Sequence, residues 1–338
     1  LHDPGGSEVR KISYSEAIAE AQLQEMQRDE KVFLMGLVLR DPYGSAFGQT
    51  KGISTKLGTE RVIDVPVSEN GYVGAGVGAA ITGMRPVVEL QFSDFITICM
   101  DQVVQQAANV RYMFGGQIKV PMVLRAPTGA YLSAAGQHSH SLESWFSFIP
   151  GIKVVLPSDA YDAKGLLTAA IRDDNFVLYL EHKKLYDKKM EVPEEPYTIP
   201  IGKAAVKREG KDLTIVAWSF MVSKALDAAA ALENKGISVE VVDLRSVSPL
   251  DEETILSSVE KTGKLLVLQE TYRHCSVATD VSALVAEKGF DLLDAPIRLI
   301  TAKDVPIPFA PVLENFVLPQ TENVVAEAER LLADARGG

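Results

Sequence analysis

VSENGYVGAGVGAAITGMRP, residues 67–86, follows a strand-like run, RVIDVPV (61–67), and places one carboxylate, Glu69, ahead of a stretch of glycine and alanine. Gly74 to Ala79 spells the G-x-G-x-x-A form of a dinucleotide-binding loop, and Asp94 follows Gly74 at the distance of that motif's acidic residue. In that fingerprint, however, the first glycine closes the strand, so that the pyrophosphate meets the helix N-terminus. Here Ser68 to Val73 intervene. The glycines therefore fall inside a helix, where they cradle no phosphate. Gly74 and Gly78, Ala75 and Ala79, and Gly76 and Ala80 put small residues on several of its faces. Each interior glycine costs about 1 kcal/mol relative to alanine. The pattern points to close approach by another backbone, as a subunit or domain contact or as tight packing within one domain. Glu69 stands at a strand end, where open α/β sheets bind ligands. Its position suits a helix-capping carboxylate and equally a proton donor or acceptor with a raised pKa.

Outward from this stretch the chain alternates. VFLMG, RVIDVPV, PVVELQF, VPMVLRAP, IKVVLPS and FVLYLEH read as apolar strands, with helices expected at 71–83, 94–112 and 159–172. Ser13 and Glu16 form a capping-box pattern before a first helix, AIAEAQLQEMQ. Strands this apolar, separated by helices, predict a parallel sheet covered on both faces. YDKKMEVPEEPYTIPIG (186–202) interrupts the rhythm with charges and prolines and reads as an interdomain linker. Alternation then resumes through DLTIVAW, SVEVVDL, KLLVLQE and PIRLIT, with helices near 221–235, 251–261 and 276–288. The expected organisation is an N-terminal remnant (1–10), an α/β domain (11–185), the linker, and a second α/β domain (203–338).

Composition bounds the function. The 338 residues, 46% of them hydrophobic, suffice for two ordinary domains. A net charge of −11 argues against nucleic acid or an anionic membrane as partner. No run approaches the ~18 apolar residues of a membrane span. Cys99 and Cys275 form no C-x-x-C pair, which fits a reducing cytoplasm. The opening LHDPGGS has neither the charged nor the apolar region of a signal peptide and reads as an expression remnant.

VIDVPVSENGYVGAGVGAAITGMRPVVELQFSDF, AAGQHSHSLESWF, PGIKVVLPSDAYDAKGLL and AAIRDDN resemble the β subunit of thiamine-diphosphate-dependent 2-oxo acid dehydrogenases, the decarboxylating component of pyruvate, branched-chain 2-oxo acid and acetoin dehydrogenase complexes. The resemblance runs from about Lys11 to Leu332. It implies a thiamine-pyrimidine-binding α/β domain followed by a transketolase C-terminal-like α/β domain. It also implies that Glu69 hydrogen-bonds N1′ of the cofactor's aminopyrimidine. Sharing a proton there selects the tautomer that activates the thiazolium, which supplies the electron sink for decarboxylation. Phe95 and Gln91 match positions that contact the aminopyrimidine, Phe95 by stacking. Taken alone, Phe95 reads as an ordinary core phenylalanine.

His138-Ser139-His140 places two histidines on one side of an extended segment, but no third ligand with metal-site spacing follows nearby. By resemblance, His138 belongs to a Q-H-S motif at the active-site entrance, where it contacts substrate or intermediate and helps transfer to the lipoyl arm. His140 has no such match and reads as peripheral. The polar turn at 170–175 corresponds to a potassium site in relatives, implying Met122, Ala170, Asp173 and Asn175 as ligands, mostly through main-chain oxygens.

The chain contains no G-D-G…N-type segment to hold magnesium and the diphosphate. The resemblance assigns that segment, and the Mg2+, to an α subunit, giving an α2β2 tetramer with a β–β dimer, cofactors at α–β interfaces, and a lipoyl acyltransferase as the further partner. The glycine-rich helix would then serve subunit packing. One departure stands out: relatives read G-E-D after the first long strand, whereas this chain has Gly36-Leu37-Val38, and Ile98 replaces an acid found in some members. Those acids belong to a proposed proton relay between cofactors. Two competing readings follow: a split transketolase-like subunit, or a non-catalytic assembly subunit.

Overall fold

The structure, a computed structural model, describes residues 10–334. The expected remnant therefore lies outside it, except for Arg10. That residue belongs to the fold, pairing with Glu20 through both terminal nitrogens at 2.8 Å. The first helix, Tyr14–Arg28, starts as its sequence dictates. Ser13 Oγ accepts the Glu16 N–H at 3.2 Å, and Glu16 reaches back to the Ser13 N–H at 2.7 Å.

The first sheet has seven strands, in the order Ser246–Ser248, Lys153–Val155, Val177–His182, Val123–Thr128, Arg85–Glu89, Val32–Gly36 and Val62–Asp64. All pairings are parallel except that of Ser246–Ser248 with Lys153–Val155. Val123–Thr128 and Val177–His182 are buried along their whole length, as strands covered on both faces must be. The second sheet runs Arg298–Ile300, Leu265–Leu268, Leu213–Ala217, Val239–Asp243 and Ala205–Arg208, the last antiparallel.

The two halves are clasped together. Ser246–Ser248, from the second half of the chain, completes the first sheet. Lys207 lies 2.7 Å from Asp159 and 2.5 Å from Asp162, and Arg245 lies 2.7 Å from Asp162. The expected linker is an anchored strap. Lys189–Glu191 pairs with Lys11–Ser13. Lys164 donates to the carbonyls of Pro193 and Glu194 at 2.6 and 2.8 Å, and Ile199 N–H bonds to Gly165 O at 3.1 Å. Gly165 has to be glycine here, because a Cβ would come within 2.7 Å of Ile199.

Residues 94–112, expected as one helix, divide into three pieces: a 3-10 segment (Ser93–Cys99), a π-helical turn (Asp101–Ala107) and a short α-helix (Val110–Met113). The Asp94 carboxylate, which would otherwise serve the first turn, is drawn to a distant loop. Downstream, Ala108 N–H bonds to Val103 O at 3.0 Å, an i→i+5 closure. Such turns are common at functional sites.

Candidate active site

The helix expected at 71–83 spans Glu69–Ile81, so Glu69 is its first residue and the glycine motif is interior. The two packing alternatives divide by residue. A Cβ on Gly76 would lie 2.6 Å from Val88 Cγ2, so this glycine serves the chain's own core. Gly78 has open space. Ser68 makes no side-chain capping bond. Glu69 is 6% exposed, and its carboxylate enters no hydrogen bond or salt bridge among the described residues. Its charge is felt locally. Burial, reinforced by Glu69, pushes the Cys99 thiol up to about 12 and raises the Tyr72 phenol well above its usual range.

The glycine-rich helix packs against the 3-10 segment that carries Phe95. Phe95 meets His138 edge-on at 5.6 Å between centroids, and Phe92 stacks on His138 at 4.3 Å. Sequence reasoning named Phe95 and His138 separately, each through resemblance, and missed Phe92. Gln91 is half-buried just past the strand Arg85–Glu89. His140, expected to be peripheral, is half-exposed and fixed by a buried partner, with Nδ1 lying 2.5 Å from Asp94 Oδ1. The two histidines thus serve different partners. Asp94 was visible in the sequence as a lone acid in an apolar run, but nothing there indicated a bond to residue 140.

Lys183 was also missed. Burial brings its amine down to about 8, and its Nζ donates to the His138 carbonyl and lies 5.2 Å from the centre of the Phe92 ring. Around this cluster, Asp94 Oδ2, His138 Nδ1, Ser139 Oγ and Tyr72 OH are buried without partners. Buried polar groups are ordinarily paired, so these atoms leave hydrogen-bonding capacity unused on the elements that carry Glu69, Phe95 and His138, as a polar heteroaromatic ligand would require. A cavity of about 740 Å³ lies elsewhere, in the second domain between Arg298–Ile300 and the last helix, Thr321–Asp334. Glu69, Phe95 and His138 do not line it.

The oxygens of the 170–175 turn are engaged. Ala170 O accepts the Asp173 N–H at 3.2 Å, and Met122 O accepts the Val177 N–H at 3.0 Å. Arg85 donates to Asp173 O at 3.0 Å, and Arg111 donates to Asn175 Oδ1. Lys153 pairs with the Asp173 carboxylate, whose pKa is lowered despite burial by that contact and by Asn175.

At the departure from the family pattern, Leu37 is buried, whereas Val38 is 41% exposed on this chain and left-handed, with φ +49°. Ile98 is exposed, as is Val67 just before Glu69. Apolar surface therefore flanks the site.

Residues 10–189 match the family described as transketolase, pyrimidine binding domain, and residues 202–324 match transketolase, C-terminal domain. The chain thus has the transketolase-type arrangement of a pyrimidine binding domain followed by a C-terminal domain. A solved split-gene transketolase, described as an inactive β4 tetramer, superposes with a TM-score of 0.77 over 96% of this chain and all of that one, at 23% identity, which speaks to fold alone. The sequence relatives are more specific. The β subunit of acetoin:2,6-dichlorophenolindophenol oxidoreductase from Bacillus subtilis (strain 168) is 50% identical over 96% of this chain and 98% of its own length. The pyruvate dehydrogenase E1 component subunit β of Rhizobium meliloti (strain 1021) is 45% identical over 95% of this chain and 70% of its own length. The 2-oxoisovalerate dehydrogenase subunit β of Bacillus subtilis is 44% identical over 95% and 98%. The chain belongs to this family of E1 β subunits from pyruvate, branched-chain 2-oxo acid and acetoin dehydrogenase complexes.

Proposed function

We propose that this chain is the β half of an α2β2 enzyme that cleaves acetoin or a 2-oxo acid with thiamine diphosphate and passes the acyl group to the lipoyl arm of an acyltransferase component. The observation that carries it is Glu69, a buried and unpaired carboxylate at the head of a helix packed against the Phe95 segment. When bound, the cofactor supplies the electron sink for carbon–carbon cleavage. Glu69 holds a proton against the N1′ position, Phe95 and Gln91 hold the aminopyrimidine, and His138 faces the substrate. Mg2+ and the diphosphate belong to the α subunit. The acetoin reading is favoured by two relatives named for it, at 50% and 47% identity.

We assign the Met122, Ala170, Asp173 and Asn175 turn to potassium on the family resemblance of its sequence. Its carbonyls each retain a second lone pair beside the bond they accept. A higher melting temperature in K+ than in Na+ at equal ionic strength checks this. A cytoplasmic enzyme is part of this proposal. No helix among the described residues is long and apolar enough to cross a membrane, and both cysteines are free.

Calorimetry with thiamine diphosphate and Mg2+ tests the shared site. The chain by itself should bind at least a hundredfold more weakly than the mixture with its α subunit. Tight binding by this chain alone would overturn the split site.

A further inference from the structure

His138 is carried on a loop, 129–142, between the strand Val123–Thr128 and the helix Glu143–Ser147. The loop does not follow from its own backbone preferences. Gly129, Tyr131, Ser133 and Ala135 all adopt left-handed conformations, with φ of 89°, 66°, 53° and 56°. Three of the four have side chains that disfavour this region. Something outside the loop must hold it.

Two buried carboxylates from the second domain do so. Glu270, just beyond the strand Leu265–Leu268, accepts the Ala130 N–H at 2.7 Å and the Ser141 hydroxyl at 2.8 Å, both on Oε1. One oxygen atom thus ties the two ends of the loop together. Its other oxygen, Oε2, lies 2.6 Å from His182 Nε2. The His182 tautomer follows from the other ring nitrogen. Nδ1 accepts the Lys184 N–H at 3.1 Å, so Nε2 carries the hydrogen and donates to Glu270. Glu314, on the helix Pro311–Val317 and 2% exposed, takes the middle of the loop. It accepts the Ser133 N–H at 3.0 Å and the Ser133 hydroxyl at 3.2 Å. Tyr131 adds a bond from its hydroxyl to Pro319 O at 2.6 Å. A buried carboxylate is costly unless its lone pairs are used; Glu314 and Glu270 Oε1 use theirs on this loop, and Glu270 Oε2 on His182, rather than on lysine or arginine.

We propose that Glu270 and Glu314 are positioning residues. Through Ala130, Ser133 and Ser141 they fix the loop so that His138 faces the substrate. The second domain thereby sets substrate alignment without reaching the substrate itself. This rests on the reading of His138 as the residue that faces substrate.

The test has two readouts. In the full chain, Glu270→Gln keeps the side-chain size but replaces one acceptor oxygen by an NH2 donor, so it cannot satisfy all three donors. Amide hydrogen exchange across 129–142 should quicken at least tenfold in this variant. In the α-containing enzyme, kcat/KM for acetoin or 2-oxo acid should fall at least tenfold, while deuterium exchange at the cofactor's thiazolium carbon, the Glu69-dependent step, stays within twofold of wild type. Ser141→Ala should give a smaller loss of the same kind, restored by Ser141→Thr. That pair decides the matter if Glu270→Gln does not fold. Unchanged loop exchange, or turnover and thiazolium exchange falling together, would overturn the proposal. A wild-type α-containing enzyme inert towards every substrate would count against the functional reading alone, because loop exchange needs no cofactor.

Discussion

Asp94 Oδ1 lies 2.5 Å from His140 Nδ1, and this contact ties the segment that carries Phe95 to the loop that carries His138. It joins the two faces of the site across 46 residues of sequence. Asp94 is buried and its second oxygen has no partner, so its position depends on this bond and on the His140 N–H at 3.4 Å. Asp94→Ala should lower stability by about 1–3 kcal/mol, the range for a buried polar group that loses its partner. It should also weaken thiamine diphosphate binding in the α-containing enzyme roughly tenfold, because Phe95 loses its anchor. Asp94→Asn, which keeps an acceptor for a neutral His140, should recover most of the loss. Denaturant melts and calorimetry on the three proteins check this.

Glu143 predicts a pH dependence of stability. Burial pushes its carboxyl up to about 7, against the bond at 3.1 Å from Trp218 Nε1, and its second oxygen has no partner. A folded-state pKa raised above the unfolded one contributes stability that is fully present below about pH 4.5 and is lost as pH rises through about 7. Glu143→Gln removes the charge and should flatten this fall. The variant should gain on wild type between pH 5 and 8 by an amount on the order of 3 kcal/mol at most. Parallel melting curves with pH read it directly.

Leu37 and Val38 stand where the sequence resemblance leads one to expect acids, and the structure separates their effects. Leu37 is buried, so Leu37→Glu should destabilise by about 2 kcal/mol or more, through lost apolar burial and a carboxylate without a partner. Val38 is held at φ +49°, where a β-branched side chain is strained and asparagine is tolerated. Val38→Asn should therefore raise stability by about 1 kcal/mol. Denaturation midpoints of the two single variants should move in opposite directions.

What was legible in the sequence was local. The Ser13–Glu16 capping box and the apolar strands are set by neighbours within a few residues, and they appear where expected. The glycine motif could be excluded as a phosphate loop because its offset from the strand is also local. The segment 94–112 failed as one helix because it divides into 3-10, π-helical and α-helical pieces, and no spacing rule contains the bond from Asp94 to His140 near its start. Lys11–Ser13, Lys189–Glu191 and Ser246–Ser248 were missed as strands because each is three residues long and partly polar. Phe92, Lys183, Glu270 and Glu314 drew notice only when the folded chain placed them around one loop.

The claim at the centre of this account is that Glu69 shares a proton with the cofactor's aminopyrimidine ring. Glu69→Gln keeps the size of the side chain and should leave folding and assembly with the α subunit intact. The direct measurement is deuterium exchange at the thiazolium carbon of thiamine diphosphate bound to the α-containing enzyme. Exchange should slow by at least a hundredfold in Glu69→Gln, with turnover falling in step. Exchange at the wild-type rate in the assembled variant would contradict it.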